Sequence, residues 1–185
     1  MLRNILGPFG YLKIKHDFKT QIDWILPLFL SVVTILLFFA FDKNRNINFI
    51  NSGSIVERIL NFTQILPGFY IAALAAIATF QKNDIDQAMP SPAPKIVIEV
   101  KGKKVPSDLS RRRFLCSMFA FLTAESLLII FLCLFGLNIL SLCNDFFKEN
   151  YWIYLYFSIL IFAVWQMVIA TFWGLFYLGD RLHRD

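Results

Sequence analysis

Two polar side chains lie deep inside apolar sequence and are the best placed to do chemistry: Glu125 and Gln166. Glu125 follows the start of the apolar stretch 114–143 by about twelve residues, or roughly 18 Å of helix. That places it near the middle of a bilayer, where an ionised carboxylate costs at least about 2.5 kcal/mol. It must be protonated or paired there. Counting back from the end of the stretch 151–178 puts Gln166 at a similar depth, so the sequence predicts a Glu125–Gln166 hydrogen bond. Such a pair can serve as structural glue that fixes the register of two helices or two protomers. It can equally be a working group in an ion path or in a proton- or potential-sensitive switch.

A conducting pore would need further polar groups at neighbouring levels. Those available are Ser31, Thr34, Thr79, Ser117, Thr123, Ser126, Asn138, Ser158 and Thr171, scattered over the four stretches. Cys116, Cys133 and Cys143 share the third stretch, where neighbours stand at least about 15 Å apart along a helix and cannot pair. No His or carboxylate accompanies them at ligand spacing, so they read as small hydrophobes, with Cys143 the one candidate for a bridge between chains. The two histidines, His16 and His183, lie near opposite termini without a nucleophile or ligand cluster. G-x-S-x-G, H-E-x-x-H, a pair of mid-membrane aspartates and a phosphate-cradling glycine loop are all missing from the sequence. The expectation is a protein that is not an enzyme and takes no cofactor or metal.

The elements that must hold these residues are four apolar stretches, 24–41, 59–80, 114–143 and 151–178. Even the shortest covers roughly 27 Å as a helix, close to the bilayer core of about 30 Å. The predicted fold is an all-α membrane protein of four transmembrane helices in two helical hairpins, with a short cytoplasmic β-hairpin-like loop between helices 2 and 3. Its parts are an interfacial segment 1–23, a first transmembrane hairpin 24–80, a cytoplasmic loop 81–113, a second transmembrane hairpin 114–178 and a tail 179–185. The first stretch has no cleavage pattern after it and is expected to stay as an anchor.

Charge gives the orientation. Of 18 Lys and Arg, fourteen precede the first stretch, lie in the central loop or follow the last stretch. The remaining four, Lys43, Arg45, Arg58 and Lys148, are matched by Asp42, Glu57, Asp145 and Glu149. By the positive-inside rule both termini and the central loop face the cytoplasm of a bacterial inner membrane. The net charge of +5 is therefore a topology signal in a chain that is 57% apolar, and direct nucleic-acid binding is not expected.

Within the central loop the alternating prolines of Met89-Pro90-Ser91-Pro92-Ala93-Pro94 make an extended spacer. Ile96, Ile98 and Val100 then share one face of a strand, and Lys101-Gly102-Lys103-Lys104 can turn the chain toward Val105. So small a hairpin is marginal alone and must pack on the helix ends, on its copies or on a soluble partner that completes its sheet. Ile96, Ile98, Val100, Lys103 and Lys104 are the candidate partner-binding residues. Asp108 or Ser110 can cap the third helix, and Arg111, Arg112 and Arg113 form a basic cluster at the inner interface, where topology and anionic lipid account for them.

On the second stretch Gly68, Ala72 and Ala76 repeat at four-residue spacing, a small-residue face expected to be buried against a helix of this chain or of a neighbouring copy. Pro67 falls early in that helix or kinks it. Residues 1–23 mix Leu2, Ile5, Leu6, Phe9, Tyr11 and Leu12 with Arg3, Lys13, Lys15 and Lys19, and Gly7-Pro8 and Gly10 interrupt any long helix. The segment is expected to lie along the inner membrane surface as an anchor.

Four transmembrane helices in 185 residues, a basic inner loop and Leu109-Ser110-Arg111-Arg112-Arg113-Phe114-Leu115 opening the third helix together resemble the membrane subunit of the bacterial Kiwa anti-phage system. The resemblance spans the whole chain and is one of architecture, so it carries over no functional residue. It implies an inner-membrane homo-oligomer that detects phage-associated membrane events and works with a soluble DNA-binding effector. The residues themselves leave two readings open. One is a sensor or scaffold that oligomerises and holds a cytosolic protein through residues 81–113. The other is a small oligomeric channel or pore that depolarises the membrane. A transporter is less supported, because the two halves show no matching broken helices.

Overall fold

The computed structural model describes residues 7–14, 19–45, 54–79, 83–89, 95–100, 103–140 and 152–183. Four helical runs are long and apolar enough to cross a membrane: Gln21–Phe38, Ile55–Thr79, Arg111–Asn138 and Ile153–Gly179. A 3-10 helix at Gly7–Lys13 comes first, and helix α1, Leu26–Arg45, is entered through a π-helical turn at Gln21–Ile25. The second run divides into α2, Ile55–Thr63, and α3, Leu66–Thr79. A single turn, α4, covers Asn83–Asp86 and is followed by strands β1, Lys95–Val100, and β2, Lys103–Asp108. The long helices α5, Arg111–Phe135, and α6, Trp152–His183, complete the chain, α5 passing into a π-helical turn at Gly136–Leu140.

Local chemistry sets the ends. The Ser54 hydroxyl accepts from the Glu57 amide at 3.2 Å, an S-x-x-E start that launches α2 several residues before its apolar run. Pro67 cannot donate to the carbonyl one turn back, and the helix breaks there into α2 and α3. Of the two caps open to α5, Ser110 is the one used, its hydroxyl accepting from the Arg113 amide at 3.4 Å.

Helix α5 is the centre of the bundle. It packs against α2, α3, α6 and the amino-terminal 3-10 helix, while α1 packs on α6. Among the described residues packing thus runs from the first span to the fourth, from the fourth to the third and from the third to the second. The buried side of α5 carries Phe114, Leu115, Met118, Phe119, Phe121, Leu122 and Ile129. By contrast Leu28, Phe29, Val32, Leu36 and Leu37 of α1 are exposed within the chain, an apolar surface suited to lipid or to a second copy.

The expected small-residue face is not buried in this chain. Gly68, Ala72 and Ala76 are exposed and a Cβ on Gly68 would meet nothing within 4 Å. Tyr70 and Ile77 are buried instead, because the Tyr70 hydroxyl must reach Thr171 Oγ1 on α6, 2.6 Å away. At about 100° per residue that leaves the Gly68–Ala72–Ala76 stripe roughly 160–240° round the helix, on the opposite side.

The amino-terminal segment packs on the bundle. Tyr11 is wholly buried, stacked on Phe121 at 5.2 Å between ring centroids, and Phe9 meets Phe121 edge-on at 5.9 Å. Described residues 7–14 are therefore seated against α5. Pro8 and the two glycines, which break an α-helix, suit the tighter 3-10 turn.

At the far end of the α5–α6 contact the Tyr156 hydroxyl donates to the Leu132 carbonyl at 2.8 Å, which it reaches only because Gly136 has no side chain in its way. Gly136→Ala should therefore cost about 1–3 kcal/mol. The loss measured for the double variant Gly136→Ala with Tyr156→Phe should be smaller than the sum of the single losses, read by melting in mild detergent. Strict additivity would show that the two residues do not meet.

Candidate functional site

The polar centre of the fold is built around Asp23, which sequence reasoning did not single out. Its carboxylate is 1% exposed and pairs with Lys19, one helical turn back and 3% exposed. The Tyr11 hydroxyl donates to Asp23 Oδ1 at 3.2 Å, and the Lys19 ammonium also sits 3.9 Å from the centre of the Tyr11 ring. Both carboxylate oxygens are thus engaged, and a cation buried next to an anion is held by ion pair and aromatic face together. Burial, then the Asp23 charge and hydrogen bond, then the Glu125 charge push the Tyr11 phenol well above its ordinary range, so it stays a donor.

The backbone of Asp23 does separate work. Pro27 has no N–H, so the Asp23 carbonyl loses the helical donor that would have come from one turn later. The chain widens into the π turn Gln21–Ile25, and Gln166 of α6 donates its Nε2 to the Asp23 carbonyl at 2.8 Å. A proline inside a span is tolerated where a neighbouring helix supplies the missing bond in this way.

This corrects the predicted Glu125–Gln166 pair. Gln166 is taken by Asp23, and Glu125 Oε2 is buried with no hydrogen-bond partner among the described residues. What failed was the choice of partner, and Pro27, four residues after Asp23, was the signal that could have identified it.

The scattered polar residues do not line a common path. Ser31, Thr34, Thr79, Thr123, Ser126, Asn138, Ser158 and Thr171 each donate to a carbonyl three or four residues back on their own helix. Thr34 and Thr171 in turn take contacts from Trp165 Nε1, at 2.9 Å, and from Tyr70, so they join helices rather than face water.

A second constellation lies where the central segment meets α5. Arg112 grips Asp86 with Nε at 2.6 Å and Nη2 at 2.9 Å, and its Nη1 donates to the Ile77 carbonyl at the end of α3 at 2.6 Å. The Arg112 guanidinium holds the Asp86 carboxyl below the usual carboxylate range. The cluster expected to mark topology thus contains one residue that fastens α3, α4 and α5 together. Backbone bonds from Met89 N to Leu109 O and from Arg111 N to Gln87 O, both 3.0 Å, add to the clasp. Arg113 is exposed.

β1 and β2 pair antiparallel, with Ile96 opposite Ser107, Ile98 opposite Val105 and Val100 opposite Lys103. Lys103 and Lys104 therefore belong to the second strand and not to a turn, because Val100 already finds its partner at Lys103. Cys116 and Cys133 carry free thiols, and His183 ends α6. His16, Cys143 and the proline-rich 90–94 lie outside the described residues. Comparison with protein-family models, with curated proteins and with solved structures finds no match for this chain.

Two outcomes test this geometry. Gln166→Leu should cost about 1–3 kcal/mol in the native chain by orphaning a buried carbonyl. It should cost much less beside Pro27→Ala, which restores a helical donor; equal losses in both backgrounds, measured by melting in detergent, would refute the account of Pro27. The folded chain holds the Tyr11 proton more tightly than the unfolded one. That contribution is therefore whole below the ordinary phenol value of 10.0 and is lost as pH climbs above it. Alkaline titration should show a steep fall in stability that Tyr11→Phe flattens, at a cost of about 0.5–1.5 kcal/mol near neutrality.

Proposed function

We propose that this chain is a non-enzymatic sensor or scaffold of the bacterial inner membrane, with both termini and the segment 81–113 cytoplasmic, that oligomerises and holds a soluble effector through β1 and β2. The observation that carries the reading is the two-stranded sheet itself. Two strands that pair only with each other are marginal in water, and each has a second edge able to accept a strand from another protein. The basic residues flanking this end favour the cytoplasmic side. The Arg112 clasp ties α4 to α3 and α5, and β2 leads directly into α5, which gives a route from the spans to the partner.

The homo-oligomer rests on the exposed Gly68–Ala72–Ala76 stripe and the exposed flank of α1, surfaces on which a second copy can pack closely in lipid. The architectural resemblance to the Kiwa membrane subunit agrees with this reading and gives the effector a class, a DNA-binding protein. The alternative of a small ion channel has less support, since the hydroxyls that would line a lumen bond back to their own helices.

The test is affinity purification of the tagged chain in mild detergent from its native host, comparing the native sequence with Ile96→Asp plus Ile98→Asp. The double variant should lose a soluble protein recovered in fixed ratio while membrane insertion is unchanged. Undiminished recovery would defeat the loop as the docking surface. A homo-oligomer alone, leaking ions in liposomes, would transfer the reading to the channel.

A further inference from the structure

Glu125 has no task in anything described so far, yet the fold goes to some length to enclose it. It is 6% exposed, its Oε2 has no hydrogen-bond partner, and it stands beside the one buried ion pair among the described residues. Every group that faces it belongs to an element that could move. Tyr11 comes from the amino-terminal 3-10 helix, Lys19 and Asp23 from the entry to α1, and Tyr70 from α3. α6 supplies the uncharged Gln166, which is held by the Asp23 carbonyl.

Charge balance gives these observations a direction. Lys19 neutralises Asp23, and both Asp23 oxygens are occupied, one by Lys19 and the other by Tyr11. A second negative charge on Glu125 would have no counterion of its own among the described residues, and it would act on the same Tyr11 and the same Asp23 that hold residues 7–14 in place. We propose that Glu125 is a proton-binding site that latches the amino-terminal segment. With the proton on, Tyr11 and Lys19 stay clasped to Asp23 and residues 7–14 stay seated against α5. When the proton leaves, the new carboxylate competes with Asp23 for Lys19 and the Tyr11 donor, the clasp opens, and the segment leaves its seat between Phe114 and Phe121.

The ligand is a proton, the mobile element is residues 7–14, and the joint lies where α1, α5 and α6 meet. The inference stands apart from the docking of an effector, since it uses neither strand. It does supply what a sensor would need, a neutral and a charged state of one side chain tied to two positions of a surface-reaching segment.

The experiment follows amide hydrogen exchange of the peptide containing Tyr11 in the full chain, in lipid nanodiscs, from about pH 5 to about pH 9, a range that spans buried carboxyl titrations. Rates are corrected for the intrinsic effect of pH. Release of one proton on opening predicts that protection falls by up to about tenfold per pH unit between the titration of the freed carboxyl and that of the buried one, and levels off above the latter. E125Q, which is neutral at every pH, should hold protection level. A native profile that is flat throughout, or an E125Q profile with the native slope, would overturn the proposal. Infrared spectra of the native protein make the test independent of E125Q folding. The band of a buried protonated carboxyl should be present at the acid end and gone where protection has levelled off, and its absence at the acid end would overturn the proposal as well.

Discussion

The burial of Asp23 is the constraint on which the rest of this structure turns. A carboxylate taken out of water must be compensated, and breaking a buried pair by removing one partner typically costs about 3–5 kcal/mol. Asp23 is compensated by Lys19 from its own helical entry and by Tyr11 from a separate segment. That second bond brings the amino-terminal 3-10 helix into the bundle and sets its rings on Phe114 and Phe121 of α5. The carbonyl of the same residue recruits Gln166 of α6. One residue thereby links the amino-terminal segment, α1 and α6, and through the rings α5.

Lipid explains how the remaining helices hold. Apolar side chains gain little by leaving hydrocarbon for one another, so close packing and hydrogen bonds between helices carry the specificity. Three of the bonds seen here are tipped by an aromatic residue: Tyr70 to Thr171, Trp165 to Thr34 and Tyr156 to the Leu132 carbonyl. In the first two the threonine has already given its own proton to a helix carbonyl, so the ring donor completes a short chain of polarised bonds. These are ordinary aromatic core residues by composition, with a polar tip that reaches a neighbouring helix.

This bears on how much the sequence could reveal. The four spans were legible because lipid demands long apolar runs, and the Ser110 cap was legible because capping is local. Azimuth was not. Rotation about each helix axis is decided by tertiary partners, so the Gly68–Ala72–Ala76 stripe turned outward once Tyr70 had to face Thr171. Gln166 likewise met the carbonyl that Pro27 had left without a donor rather than the carboxyl it was matched with. Lys19 was read only as part of the basic amino-terminal segment, and Asp23 was not singled out. Their spacing of one turn at the mouth of an apolar run, with a proline one turn further on, is the pattern that marks a buried pair beside a freed carbonyl.

The two ends of the bundle are built to different standards, and the difference favours the basic end as the place where work is done. There the first turns of α5 are buried on Phe114, Leu115, Met118 and Phe119. Arg112 ties the end of α3 to α4, and residues 87–89 bond in register with 109–111. Toward the other end α5 exposes Phe131, Leu134 and Phe135, and α1 exposes nearly every large side chain along its length. Surfaces of that kind suit lipid or another copy and carry no chemistry of their own. Charge, fixed hydrogen bonds and a buried carboxyl without a partner are gathered at or just inside the basic end, close to the two strands. A shift of α1 against α6 acts on the Trp165–Thr34 bond and on Asp23, whose carbonyl holds Gln166. Asp23 in turn is shared with the amino-terminal segment, so helix movement in the membrane and movement of a surface-reaching segment are coupled through one side chain.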